Sequence, residues 1–80
     1  MTFNTETKTV RNTLIEVSAD CSRLSLLDGS TWEVNPGDMP TVATWIPTAE
    51  LEIKRSGSGL YSHKVTNLEI DVDIRARPLA

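Results

Sequence analysis

The stretch LSLLDGSTWEV, Leu24 to Val34, constrains this chain more than any other. Asp-Gly between two apolar runs is a strong hairpin signal, because both residues tolerate the positive-φ turn positions at which most side chains clash. Two loop lengths compete, and side-chain parity separates them. A two-residue loop, Asp28-Gly29, pairs Leu27 with Ser30 and sets Trp32 opposite Ser25, which leaves Leu24 and Leu26 on the face away from Trp32 and Val34. A three-residue loop, Leu27-Asp28-Gly29, pairs Leu26 with Ser30 and Leu24 with Trp32, so that all four large apolar side chains share one face. The three-residue turn is therefore expected, with Gly29 at positive φ as a bulge residue.

A hairpin with one apolar face must pack on something, and the rest of the chain supplies more strands. VRNTLIEV, Val10 to Val17, is rich in β-branched residues and reads as a first strand, although its apolar positions do not alternate cleanly. Ser18 to Ser22 is a connector. NPGDMP, Asn35 to Pro40, stacks turn formers and ends the hairpin. Val42, Trp45 and Ile46 fit one helical turn that lids a barrel, and Pro47 limits its length, so a short 3₁₀ or irregular segment is expected there. ELEIKR, Glu50 to Arg55, alternates with Leu51 and Ile53 inward. After the SGSG loop, LYSHKVT alternates with Tyr61, His63 and Val65 on one face, which makes a second hairpin. LEIDVDIRA alternates over its whole length, with Leu68, Ile70, Val72, Ile74 and Ala76 on one face. Apolar parity flips between Val65 and Leu68, so Asn67 marks a tight turn or bulge. Met1 to Thr9 carries no period and is expected to be frayed, leaving residues 10–80 as a single domain.

At 80 residues, folding buries only about 60–65% of the surface of the unfolded chain. Five or six short strands of that total length must curl on themselves to make a core at all. The expected fold is all-β, a small five- to six-stranded antiparallel barrel with at most one short 3₁₀ turn. A net charge of -3 supplies no large positive field, which argues against nucleic acid as a partner. Cys21 is the only cysteine, so neither an intramolecular disulfide nor a multi-cysteine metal site forms. No apolar run has the roughly 20 residues needed to span a bilayer, and MTFNTETKTV has neither a basic nor an apolar leader region. These features together point to a soluble protein of a reducing compartment, most simply the cytoplasm.

LLDGSTWEV, the tryptophan at Trp45 ahead of an ELEI strand, Tyr61-x-His63-x-Val65-x-Asn67 and the ending IRARPL resemble small, mostly uncharacterised bacterial proteins with a DGSxWxV hairpin. The resemblance spans roughly Leu24 to Leu79 and implies a barrel of SH3-like type. It brings no activity with it. Such proteins commonly carry Gly-Asp after the second tryptophan and its proline, whereas this chain has Thr48-Ala49 after Pro47.

Candidate chemistry is sparse. Glu69, Asp71 and Asp73 share a strand face in this reading, but steps of about 6.5–7 Å are too wide for two neighbours to grip one cation, so a solvated face is preferred to a Ca²⁺ or Mg²⁺ site. Lys54, Arg55 or Lys64 opposite these acids would form exposed cross-strand pairs. His63, the only histidine, lacks the sequence signature of a nucleophile and its base and reads as a packed histidine. Cys21 reads as inert. Trp32 fills the core, while Trp45, among turn signals, is suited to line a groove for a peptide. Trp45, Tyr61 and His63 are thus the candidate binding residues, with no catalytic residue, metal ligand or cofactor. The expected function is a non-enzymatic protein-interaction or self-assembly module of a bacterium or its mobile elements, with another protein or a second copy as partner, bound through an exposed strand edge or the surface around Trp45. Two alternatives are a small-ligand or divalent-metal-binding protein and an acidic phage or plasmid inhibitor.

Overall fold

The structure, a computed structural model, describes residues 9–57 and 59–79. Six strands, β1 (Thr9–Val17), β2 (Arg23–Leu26), β3 (Thr31–Val34), β4 (Glu50–Arg55), β5 (His63–Asn67) and β6 (Val72–Leu79), close into a barrel in the order β1-β2-β3-β6-β5-β4. Every neighbouring pair is antiparallel. The chain is thus two three-stranded meanders, and the pairings β1·β4 and β3·β6 seal one against the other. Closure corrects the expectation of an exposed strand edge for a partner, because β6 is paired with β3 on one side and β5 on the other. This is the small all-β antiparallel barrel expected from the sequence. Of the segment expected to be frayed, Met1–Lys8 lies outside the described residues, and Thr9 is the first residue of β1.

The hairpin takes the three-residue loop. Leu24 faces Trp32 and Ser25 faces Thr31. The Leu26 amide donates to the Ser30 carbonyl at 3.0 Å, and the Gly29 amide donates to the Leu26 carbonyl at 2.9 Å. Gly29 has φ 90°, and Leu24, Leu26, Trp32 and Val34 are all buried. Burial of each such side chain stabilises by about 1.5–3 kcal/mol, and only this register buries all four.

The broken alternation of the first strand also has a physical cause. The register of β1 against β2 slips between Leu14 and Glu16, with Ile15 as the extra residue of a bulge. The bulge lets Leu14 and Val17 both turn inward while Ile15 stays exposed. It also turns the corner at which β1 leaves β4 and joins β2.

Two expectations need correction. The helical piece lies earlier than Val42–Ile46: a 3₁₀ turn at Pro36–Asp38 runs into one four-residue α-turn, α1, at Met39–Val42. Proline occupies the first turn of each, where no amide donor is needed. Val42 and Trp45 still cover the core, but Ile46 is 68% exposed. Secondly, Leu68 to Asp71 is a turn, and β6 begins only at Val72, so Leu68 and Ile70 face solvent. Asn67 causes this. Its Oδ1 accepts the Glu69 amide at 2.9 Å, and its main-chain carbonyl accepts the Asp71 amide at 2.7 Å. An Asx turn of this kind outcompetes strand pairing over four residues that alternate perfectly. No helix among the described residues is long and apolar enough to cross a membrane.

Candidate functional site

The segment after α1 and the turn after β5 meet at one end of the barrel and enclose a cleft of about 200 Å³. Buried Trp45, Ala49 and Asn67 line it, together with exposed Ile46, Thr48 and Ile70. α1 ends at Val42, well ahead of Pro47, and the chain descends to the barrel through hydrogen bonds from the Trp45 amide to Val42 and from the Ala49 amide to Ile46.

Two features set this cleft apart. Trp45 is only 5% exposed, and its indole Nε1 has no hydrogen-bond partner among the described residues. A buried donor left unpaired costs about 1–3 kcal/mol, which makes such groups rare. Thr48 has φ 76°, a conformation that glycine adopts freely and a β-branched residue does not. Its amide donates to the Leu14 carbonyl at 2.7 Å, and the Leu14 amide donates to Ala49 at 2.9 Å, so the barrel corner holds the strained residue in place.

Tyr61 and His63 are not part of this cleft. His63 lies at the other end of β5, about 13 Å from Asn67 along the strand at ~3.3 Å per residue, and Tyr61 precedes it in the β4–β5 loop. There the His63 ring meets Trp32 edge to face, with centroids 5.1 Å apart. Ser62 Oγ lies 3.0 Å from His63 Nδ1. Desolvation and then the nearby Arg55 charge hold the imidazole pKa below its ordinary value of 6.5. Both effects weaken the ring as a base, and its packing against Trp32 fits a structural histidine.

The acidic strand face is dismantled by the turn. Glu69 and Asp71 lie in it, and only Asp73 is on β6. Asp73 accepts the Thr66 hydroxyl at 2.8 Å and sits 3.9 Å from Lys64, an exposed pair of the expected kind worth tenths of a kcal/mol. Among the described residues, no three His, Cys, Asp or Glu side chains converge to hold a metal ion. Cys21 is half-buried against the core. Beside it, Asp20 collects the Ser22 and Ser18 hydroxyls and the Ser22 amide, which lower its pKa to about 2. These bonds tie the β1–β2 connector together.

Sequence reasoning found Trp45 but missed Ile46, Thr48, Asn67 and Ile70. Ile70 was hidden by its place in an alternating run, and an unpaired indole leaves no trace in sequence. Comparison with known proteins finds no match: no family model, no curated protein and no solved structure is similar to this chain.

Proposed function

We propose that this protein is a non-enzymatic interaction or self-assembly module, an SH3-like barrel of the bacterial cytoplasm or of a mobile element, which engages its partner at the Trp45 cleft. The unpartnered Trp45 Nε1 carries this reading. Nε1 is itself buried, so an acceptor that arrives with a partner reaches it only as the cleft walls part, and a main-chain carbonyl of a protein segment is the simplest such acceptor. Exposed Ile46 and Ile70 flank the cleft and offer apolar area to an aliphatic side chain of the same segment. The strain at Thr48 is a further stability cost located at this cleft, as is common at binding sites.

The test is the indole N–H resonance of Trp45, followed by NMR in a protein concentration series and against peptides selected for binding from a random library. We expect it to move on binding while that of Trp32 stays in place. A Trp45 resonance indifferent to both concentration and every selected peptide overturns the reading.

A further inference from the structure

Charge is segregated along the barrel. The run from Lys54 to Lys64, KRSGSGLYSHK, contains no Asp or Glu. The segments that form the cleft, Ala43 to Glu50 and Asn67 to Asp71, contain no Lys or Arg. Because β5 joins the first region to the second, they lie at opposite ends of that strand.

At the basic end, Lys54 faces Lys64, and Lys64 faces Arg75, in register across three neighbouring strands. Like charges directly opposite one another repel. The Arg75 guanidinium reaches the β4–β5 loop, 3.8 Å from where a side chain on Gly57 would begin. The carboxylates near this end are Asp73, beside Lys64 at 3.9 Å, Glu52, two residues from Lys54 on β4 and 3.7 Å from Arg11, and Asp38, which accepts the Arg75 main-chain amide at 2.9 Å. Among the described residues Lys54, Arg55 and Arg75 make no ion pair. Leu60, in the loop that joins Arg55 of β4 to Lys64 of β5 by way of His63, stands 60% exposed. At the opposite end, the apolar cleft of Trp45 and Ile70 has Glu69 in its lining, and Glu50 and Asp71 follow the lining residues Ala49 and Ile70 in the chain, which makes its rim acidic.

We infer that the occupant of the cleft is a second copy of this chain, docked head to tail, with Leu60 of one copy entering the Trp45 cleft of the next. The basic collar around Leu60 meets the acidic rim, and a carbonyl of the entering loop accepts the Trp45 indole N–H. The inference rests on the interaction reading above and names its partner. Because the two surfaces differ, the contact is heterologous and extends to rings or open chains instead of stopping at a pair.

Light scattering over a micromolar-to-millimolar series tests it. The mass should climb from 8.8 kDa to beyond twice that value, and added salt should lower it by screening collar from rim. Leu60→Asp removes the plug and keeps the cleft, while Ile70→Lys spoils the cleft and keeps the plug. Both sites are exposed, so circular dichroism should show both variants folded. Each alone should stay at 8.8 kDa, and an equimolar mixture should reach twice that mass and stop. Wild-type protein that stays at 8.8 kDa or halts at twice that mass, a salt-insensitive association, or a mixture that fails to pair overturns the head-to-tail contact. If wild type stays monomeric while a selected peptide moves the Trp45 resonance, only this inference fails. If neither occurs, the interaction reading fails with it.

Discussion

Trp32 and Trp45 are buried to nearly the same degree, 9% and 5% exposed, yet their indoles are treated in opposite ways. Trp32 Nε1 donates to Ser30 Oγ at 3.0 Å, and that hydroxyl donates to Asp28 at 2.6 Å. Asp28 also accepts the Ser30 amide, and these bonds, led by the Ser30 hydroxyl, keep its pKa below the ordinary carboxylate value. Around Trp32 the indole, the Ser30 hydroxyl and the Asp28 carboxylate are bonded in a chain, and the sharp turn is made by a glycine. Around Trp45 the indole has no partner among the described residues, and a threonine occupies a left-handed position. Two tryptophans of equal burial therefore do different work. One is a strut with its donor paired, and the other carries a donor with no partner among the described residues.

Substitution of the rings breaks or sharpens this contrast most strongly. Trp32→Ala should lose about 3–5 kcal/mol in urea unfolding, a large share of the stability of a domain this size. The sharper form compares Trp32→Phe with Trp45→Phe. The first removes a hydrogen bond along with packing, whereas the second removes packing and an unpaired donor, so Trp45→Phe should cost about 1–2 kcal/mol less. Equal losses would mean that the Trp45 indole is satisfied in solution and that the contrast is false.

Backbone substitutions come next, with opposite signs expected at the two turns. Thr48→Gly should raise stability by about 1 kcal/mol, because it relieves the strain at φ 76°. Gly29→Ala should lower it by about the same amount, because φ 90° disfavours a side chain even though nothing lies within 4 Å of the added carbon. Thermal midpoints of both variants decide this. A destabilised Thr48→Gly would show that Thr48 is not strained.

The smallest effect is electrostatic. The folded state holds the His63 pKa below 6.5, through burial first and Arg55 second, so folded protein binds fewer protons than unfolded protein near that pH. Stability from this source is fully present above the unfolded pKa and is lost as pH falls through 6.5 toward the folded pKa. The thermal midpoint should therefore drop on acidification from pH 7.5 to 5.5, and His63→Gln should flatten that slope. The same slope in both proteins would sever His63 from the Trp32 end of the contrast.

What the sequence determined by itself was local. The Asp28-Gly29 turn, the register that gathers Leu24, Leu26, Trp32 and Val34, and the inward pair Leu51 and Ile53 all follow from side-chain parity within a few residues, where one wrong step exposes a whole apolar face. The requirement to curl into a barrel follows from the length of the chain. Tertiary structure decided the rest, because it depends on groups far apart in the chain. Closure needs β1 against β4 and β3 against β6, pairs that no local pattern encodes. The run Leu68 to Ile70 alternates as a strand should, yet the buried Asn67 draws it into a turn and sets Ile70 beside Trp45. The cleft exists only because that turn meets the segment after α1, two segments that β4 and β5 separate in the chain.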